Sequence, residues 1–519
     1  MPYRHLDPRT PVIAGVGQVS EPLGSAGYRQ RSPVDLAADA VRAALADTGA
    51  DPAAVTAAVD TVAATRQFEN SAPGARAPLG RSDNFPRSVT GRVGAAPRRA
   101  ILEVAGGQSP QHLVTELAAA IAAGGTGVAL VCGAEAISTA RALAKAGDRP
   151  DWSEHAGGDL EDRGYGLGGL LSPPLAAHGL TGAPATYALL ENARRARLGQ
   201  SRAEYALGMG RLFAPFTRVA ARNPYASAPV ERTAAELITP TVANRMIADP
   251  YTRYLVAREK VNQAAAVMLM PVAAARRLGV PEARWVFLAG HADLRERDLL
   301  DRPELSRAPA LAAAARHALE VAGIGPGEVS TFDLYSCFPI AVTVVADGLG
   351  LAPDDPRGLT VTGGLPFFGG PGNNYSMHAI AETVQRARAR PGSYGFVGAN
   401  GGMLSKYSAG VYSTIPAPWR TGRSAALQAG LDAGPVPERA AAADGRATVE
   451  TYTVVRGRGG TRTGFVLGRL DADGRRFVGR AQDGDEDMLA LLASEQPAGQ
   501  RVFVHSSGSG NRVTTPRQR

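Results

Sequence analysis

The chain first shows a regular pattern at VIAGVG, residues 12–17, an apolar run that is typical of a buried strand. Ser32 and Pro33 follow as a good N-cap and first-turn pair, and the apolar spacing after them predicts a helix over residues 34–48. Gly49 is a typical helix stop. The β-rich run VDTVAA, residues 59–64, completes a strand–helix–strand unit.

The same series recurs in the second half of the chain. WVFLAG at residues 285–290 precedes a predicted helix over 308–322, a stop at Gly323 and the strand VSTFDL at 329–334. Each half then adds a second helix and strand, at 113–123 with 128–131 and at 377–388 with 394–397. The repeat predicts an α/β fold of two pseudo-symmetric βαβ-type halves, each with a mainly parallel sheet and right-handed crossovers.

The 519 residues suggest two to four folding units at roughly 100–200 residues per domain. We expect a first half over 1–280 and a second over 281–420. Residues 139–255, rich in Gly, Pro and Arg, are too long for a loop and are interpreted as an excursion that covers a site. Composition predicts a linker at 421–445 and a small antiparallel β-barrel at 446–519.

Composition excludes several classes of protein. With 45% hydrophobic and 20% charged residues the chain is neither disordered nor fibrous, and no run of about 18 apolar residues predicts a membrane span. The N-terminus lacks the apolar region of a secretory signal. Cys132 and Cys337 are the only cysteines, which excludes a disulfide scaffold and indicates a reducing, cytoplasmic location.

The net charge of +8 does not by itself indicate a nucleic-acid partner. The basic residues are nearly all arginine and are spread along the chain, whereas nucleic-acid binders concentrate charge in a patch. A basic surface favours instead a phosphate-bearing small molecule. The histidines show no ligand spacing, so no metal site is predicted.

Several short motifs, in the same order, connect the first 420 residues to a known family. They are GAEAIS at 133–138, NQAAAVMLM at 262–270, GGLPFFGGP at 363–371 and Gly401-Gly402. The chain resembles the thiolase superfamily, which implies five αβαβα layers and a long covering loop. The C-terminal segment resembles the extra barrel of thiolase-like proteins near the sterol-carrier-protein thiolases, a branch whose members are often named acetyl-CoA acetyltransferase.

The resemblance also identifies three positions where a thiolase carries its reactive groups. Counting back from the helix end AIAAG, residues 120–124, puts the nucleophilic cysteine at Gly107. The histidine of the family's GHP corresponds to Gly370, and the second cysteine corresponds to Ala399. Because none of the three carries a reactive side chain, ordinary thiolysis through an acyl-cysteine is not expected.

Other residues are candidates to replace them. Cys337 matches the cysteine of the HDCF motif of the sterol-carrier branch, and Tyr335 takes the place of its histidine. Cys337 is a candidate acid, base or nucleophile, or else a small buried hydrophobic residue. Asn374 and His378 open a helix and are candidates for an oxyanion donor and a general base, or else a helix cap and a surface residue.

The remaining candidates lie close to these in the sequence. Asn373, Asn400 and Gly401 are candidate substrate-binding residues, with Tyr335. Ser109 and His112, near the lost nucleophile position, are weaker candidates.

The resemblance implies an acyltransferase or acyl-CoA-processing protein of lipid metabolism that needs no cofactor and takes a coenzyme A thioester as substrate or ligand. The alternative is a non-catalytic acyl-CoA or lipid-binding protein, or a partner subunit of an active thiolase. A structural subunit with a vestigial site is a third hypothesis. We expect a monomer or homodimer in which the barrel packs against the body.

Overall fold

The computed structural model describes residues 3, 5–147, 149–170, 172–508 and 510–516. The strands are β1 (Pro11–Ser20), β2 (Val59–Ala64), β3 (Arg99–Leu102), β4 (Val128–Ala136), β5 (Glu161–Asp162), β6 (Met246–Ala248), β7 (Tyr251–Thr252), β8 (Asn262–Pro271), β9 (Phe287–Arg295), β10 (Val329–Leu334), β11 (Tyr394–Gly401), β12 (Lys406–Ser413), β13 (Gly445–Arg456), β14 (Arg462–Leu470), β15 (Arg476–Ala481), β16 (Arg501–Ser507) and β17 (Gly510–Thr514).

The helices are α1 (Pro33–Asp47), α2 (Pro52–Ala58), α3 (Phe85–Val93), α4 (Ser109–Ala122), α5 (Ile137–Leu143), α6 (Pro173–Ala177), α7 (Ala183–Leu198), α8 (Arg202–Arg222), α9 (Ala234–Ile238), α10 (Val272–Arg277), α11 (Pro309–Ala322), α12 (Pro339–Leu349), α13 (Tyr375–Ala389), α14 (Ser424–Asp432) and α15 (Glu486–Ala493). Within the described ranges, none of them combines the length and the apolar character that crossing a membrane requires.

The two predicted halves form two sheets with matching strand order. The first sheet runs β1-β8-β4-β2-β3-β5, and its β4, β2, β3 and β5 are parallel neighbours. The second runs β9-β12-β11-β10, so that β9, β12, β11 and β10 correspond to β1, β8, β4 and β2. The expectation of a mainly parallel second sheet is wrong, since only β10 and β11 pair in parallel. The short turn at 402–405 cannot make the crossover that parallel strands need.

A glycine in each copy of the repeated strand motif allows the following helix to pack closely against the strand. A Cβ atom on Gly17 would overlap the carbonyl oxygen of Ala40 in α1, and one on Gly290 would overlap the carbonyl oxygen of Ala318 in α11. Only glycine lets these helices lie directly on their strands. The same close approach in both halves is the physical basis of the pseudo-symmetry.

Helices α4 and α13 lie between the two sheets. Leu117 of α4 and Ile380 of α13 belong to one apolar cluster with strand residues of both sheets, including Ile13 and Val397. With α1 and α11 on the outer faces, this arrangement gives the αβαβα layers that the resemblance implies. It also brings the starts of α4 and α13 together, where Ser376 Oγ donates to the Gly107 carbonyl oxygen at 2.7 Å.

The 139–255 segment contains two long helices, α7 and α8, that sequence analysis did not predict. Helix α7 is buried on several sides because it packs between the second half and β13. Asn192 donates to the Tyr452 carbonyl oxygen of β13 at 3.0 Å, and Glu191 accepts from the amide of Ile340 at the start of α12 at 2.8 Å. A helix covered in this way lacks the single apolar stripe by which helices are predicted.

The C-terminal region is a closed five-stranded barrel in the order β13-β14-β15-β17-β16. One pair, β15 with β17, is parallel, and the remaining pairs are antiparallel. Strand β17 was not predicted, and the segment predicted as a linker contains helix α14. The barrel packs against the body, as expected: Arg476 donates to the carbonyl oxygens of Leu300 and Arg302.

Candidate functional site

A neighbouring side chain fills the space beside the position that the resemblance assigns to the nucleophile. A Cβ atom on Gly107 would overlap the Tyr335 hydroxyl oxygen and would lie 2.6 Å from the Asn400 carbonyl oxygen. Tyr335 is 6% exposed and packs edge-on against Tyr375, with ring centroids 5.3 Å apart. The phenol is therefore fixed in the volume that a side chain at position 107 would need.

Cys337 lies just after β10, in the same buried neighbourhood. Its Sγ accepts a hydrogen bond from Asn400 Nδ2 at 3.7 Å, and its carbonyl oxygen accepts from the amide of Ala257 at 3.0 Å. Burial raises the pKa of the Cys337 thiol to about 12, although the polar groups of Tyr187 and Asn400 beside it oppose the shift. The thiol is therefore protonated at neutral pH and a weak nucleophile.

The other two family positions are also enclosed. A Cβ atom on Gly370 would lie 3.3 Å from Leu365 Cδ2 and 3.5 Å from the Arg258 carbonyl oxygen. Ala399 in β11 is fully buried. Neither position offers a group that could take or give a proton.

The two asparagines before α13 join the halves of the fold. Asn374 makes no capping bond; its Nδ2 donates to the Gly133 carbonyl oxygen at 2.7 Å. Asn373 Nδ2 donates to the Arg66 carbonyl oxygen at 2.6 Å, and its Oδ1 accepts from the Gly106 amide at 2.9 Å. These amides are engaged by backbone groups of the first half.

His378 is fully buried in α13. Its Nδ1 lies 2.8 Å from Gln18 Oε1, and Gln18 Nε2 donates to Glu382 at 3.0 Å. Burial lowers the pKa of His378 to about 3, so the ring is neutral at physiological pH. Its Nε2 has no hydrogen-bond partner within the described ranges, and none of the hydrogen bonds there joins it to Cys337 or Asn374.

Tyr187 of α7 is a member of this neighbourhood that sequence analysis missed. Its hydroxyl accepts from Asn400 Nδ2 at 2.8 Å and donates to the Gly402 carbonyl oxygen at 2.6 Å. Gly401 is equally constrained, because a Cβ atom there would overlap Gln108 Oε1. Tyr187 belongs to the 139–255 segment, where no periodicity or motif marked any residue.

Arg258, beside Gly370, lies near the charges of Arg232 and Arg253, and this arginine cluster was not predicted either. Arg258 is held by its backbone, since its carbonyl oxygen accepts from the Gly370 amide at 2.8 Å. Burial, and then the charges of Arg253 and Arg232, lower the pKa of Arg258. Its Nε is buried without a partner, and no carboxylate in the described part of the chain forms an ion pair with any of the three. Arg232 lies over the Tyr254 ring at 4.1 Å and Arg253 donates to the Ala243 carbonyl oxygen, so the cluster has polar contacts but no neutralising carboxylate. Clustered cations without a carboxylate partner are typical of an anion-binding surface.

A cavity of about 750 Å³ opens on the other side of the Gly107 loop, under α14. His112 lines it and is held by Asp293 of β9, with Nδ1 3.2 Å from Asp293 Oδ1, the oxygen that also accepts from Ser408. Burial by itself would lower the pKa of His112. The hydrogen bond to Asp293 and the charges of the nearby carboxylates outweigh that effect and raise the pKa to about 9. His112 is therefore a cation at neutral pH.

One grouping of possible metal ligands occurs among the residues that the structure describes: Glu103, His112 and Glu116, with ligand atoms within 4.8 Å of one another. Arg163 donates to both carboxylates, at 2.6 Å to Glu103 and 2.5 Å to Glu116. Because an arginine already compensates these carboxylates, the donor set does not suit a divalent cation.

Comparison with known proteins identifies the family. The model of the additional C-terminal domain of thiolase-like protein type 1 matches residues 426–509. The crystal structure of a monomeric SCP2-thiolase-like protein type 1 from Mycobacterium smegmatis is 49% identical, with a TM-score of 0.85. The match covers 98% of this chain and 100% of that chain. The chain belongs to the SCP2-thiolase-like protein type 1 family. The assembly state of this member stays a prediction.

More distant relatives agree with this assignment of the fold. An Ltp2–ChsH2(DUF35) aldolase is 19% identical with a TM-score of 0.57, over 79% of this chain and 99% of that chain. An acetyl-CoA acetyltransferase from Syntrophomonas wolfei is 16% identical with a TM-score of 0.53, over 78% of this chain and 99% of that chain.

One curated relative also matches part of the chain. The acetyl-CoA acetyltransferase of Methanothermobacter thermautotrophicus is 28% identical over 200 residues, 36% of this chain. This chain spans half the length of that protein.

In this member of the SCP2-thiolase-like family we expect stability to fall as the pH rises from about 6.5 to about 9. The folded-state pKa of His112 lies above its ordinary value of 6.5, so its contribution is complete below pH 6.5 and is lost as the pH rises through about 9. Because the side chain is 37% exposed, the loss is about 1 kcal/mol. Urea unfolding of wild type and His112→Gln across this range isolates the effect. Parallel pH profiles for the two proteins would contradict the prediction.

Proposed function

We propose that the chain binds an acyl-CoA thioester without transferring its acyl group through a cysteine. The observation that carries this proposal is the Tyr335 hydroxyl, which occupies the place of a Cβ atom on Gly107. An acyl-enzyme in the thiolase manner needs a thiolate at that point and a histidine to generate it. Positions 107 and 370 are both glycine.

The substitutes considered from the sequence are poorly suited to catalysis. A pKa of about 12 leaves the Cys337 thiol protonated, and a pKa of about 3 makes His378 a very weak base. Asn373 and Asn374 donate to backbone carbonyls of the first half. These features favour a binding protein over the acyltransferase that the family resemblance first implies.

Retained binding is supported by the arginine cluster of Arg232, Arg253 and Arg258. Coenzyme A carries a pyrophosphate and a ribose phosphate, and guanidinium groups recognise phosphates through paired hydrogen bonds. Arg258 is joined through its backbone to Gly370 and, by way of the Ala257 amide, lies next to Cys337. Phosphates at the cluster would direct the thioester beneath the 139–255 segment, toward the family's catalytic positions.

We expect coenzyme A and acetoacetyl-CoA to bind in isothermal titration calorimetry, at a Kd below about 1 mM. Arg258→Gln should weaken both by about tenfold or more, because it removes a half-buried cation with no carboxylate partner. Arg277→Gln is the matched control, since Arg277 is an exposed arginine of α10, away from the cluster. Wild type should show no thiolysis and no acyl adduct by intact-protein mass spectrometry.

Two results would contradict the proposal. Absence of coenzyme A binding at about 1 mM would favour a vestigial site and a purely structural subunit. An acyl adduct on Cys337, or thiolysis that alkylation of Cys337 abolishes, would restore the acyltransferase hypothesis. A cytoplasmic location is part of the proposal, supported by two cysteines that are both free and buried.

A further inference from the structure

One face of the 139–255 segment carries arginines that have no partner in the protein. Helix α8 exposes Arg211, Arg218 and Arg222 to solvent. Positions 218 and 222 lie about two and about three turns after position 211, so the three side chains form one stripe along the helix. Within the described ranges none of their guanidinium groups forms an ion pair or a hydrogen bond. Their charges are therefore available to a partner outside the molecule.

Carboxylates compensate little of the charge on this face. Residues 205–245, all of which the structure describes, contain five arginines and two glutamates. Glu236 belongs to the capping box of α9, where it accepts from the Thr233 amide at 2.7 Å. Glu231 is exposed and forms no ion pair in this stretch. The face keeps a net positive charge, so a second copy of the same face would be repelled by the first.

The segment after α8 extends the face and adds apolar side chains to it. This segment packs along the helix, because Thr217 Oγ1 accepts from the Arg232 amide at 3.0 Å and α9 lies against Gly210. Val230 is 51% exposed, and Val242, in the turn after α9, is fully exposed. Two exposed valines therefore accompany the arginine stripe.

We propose that this face docks on the surface of an anionic lipid bilayer. Clustered arginines attract acidic headgroups, and apolar side chains that project beside them enter the headgroup region. A bilayer offers both over a broad area, which matches charges and valines spread along α8 and the segment after it. The α8 stripe lies outside the Arg232, Arg253 and Arg258 cluster proposed for coenzyme A. The inference goes beyond the proposed function and does not depend on it.

Vesicle sedimentation with the full chain tests the docking. We expect binding to phosphatidylcholine vesicles that contain about 30 mol% phosphatidylglycerol, weak binding to pure phosphatidylcholine, and loss of binding at high salt, which screens the attraction. The double variant Arg211→Gln, Arg218→Gln should bind the acidic vesicles about tenfold more weakly or less. The matched control Arg277→Gln, Arg446→Gln removes the same charge from exposed arginines of α10 and β13 and should bind like wild type.

A second measurement reports on the contact itself. In Val242→Trp the emission of the new indole should shift to the blue when acidic vesicles are added, because a fully exposed side chain leaves water on docking. Val436→Trp is the control, since Val436 is 54% exposed in the loop after α14 and should stay in water. Neither position is buried, so both variants should fold.

The proposal is overturned if acidic vesicles do not bind, if neutral vesicles bind equally well, or if the two double variants behave alike. Binding of poly-glutamate at this face without binding of vesicles would also overturn it and would indicate an acidic protein partner. Coenzyme A should bind Arg211→Gln, Arg218→Gln as it binds wild type, which keeps the failure of either proposal distinguishable.

Discussion

Replacing Gly107 with cysteine will destabilise the protein by about 2–4 kcal/mol and will not produce an active nucleophile. The new Cβ atom would overlap the Tyr335 hydroxyl oxygen and would lie 2.6 Å from the Asn400 carbonyl oxygen. Tyr335 cannot move aside easily, because it is buried and packs against Tyr375. Urea unfolding followed by far-UV circular dichroism measures the loss.

Gly125→Cys is the matched control for this substitution. A Cβ atom on Gly125 would meet only the Ala120 carbonyl oxygen, at 3.6 Å, so its cost should stay within about 0.5 kcal/mol. In a Tyr335→Ser background, Gly107→Cys should cost less than in wild type by about 1 kcal/mol or more. Equal costs in the two backgrounds would show that Tyr335 does not occupy the nucleophile position.

Arg476→Met will destabilise the protein by about 3–5 kcal/mol. Arg476 is fully buried between the barrel and the body, where it donates to the carbonyl oxygens of Leu300 at 3.0 Å and Arg302 at 2.5 Å. Its Nε also donates to Glu450 at 2.8 Å. The substitution leaves two carbonyls without their donor and Glu450 with only its longer contact to Arg469, at 3.4 Å, and it weakens the contact between the barrel and the second half.

The adjacent Arg475→Met is the control. Arg475 has a 41% exposed side chain and pairs with Asp473 two residues away, so its loss should change the free energy of unfolding by less than about 0.5 kcal/mol. We also expect proteases to cut Arg476→Met faster within 433–445. Equal stability of the two variants would mean that Arg476 does not hold the barrel to the body.

The regular elements of the two halves could be predicted because their signals are local. The repeated strand motif, the helix N-cap at Ser32 and the helix stops at Gly49 and Gly323 act within a few residues. Helix α7 could not be predicted in the same way. Its burial comes from β13, which lies about 250 residues later in the chain, so its apolar positions form no single stripe.

For the candidate site too, local signals predicted some features and distant contacts decided the others. The resemblance located positions 107, 370 and 399, since each lies a few residues from a motif or helix end that can be recognised in the sequence. The contacts of the side chains around these positions, and therefore their possible roles, depend on residues far away in the sequence. Asn374 reads as a helix cap in the sequence, but its amide donates to Gly133, 241 residues away.

Local hydrophobic periodicity and glycine helix stops predicted two repeated α/β halves, because these signals lie in consecutive residues. The order of the short motifs, through its resemblance to thiolases, predicted the layered fold and located positions 107, 370 and 399. Packing between distant segments decides that Tyr335 fills the space beside Gly107 and that Arg258 lies near the charges of Arg232 and Arg253. It also decided which of the neighbours Arg475 and Arg476 is buried. Exposure, charge compensation and pKa depend on packing between segments far apart in the chain, and adjacent residues can therefore differ completely in role.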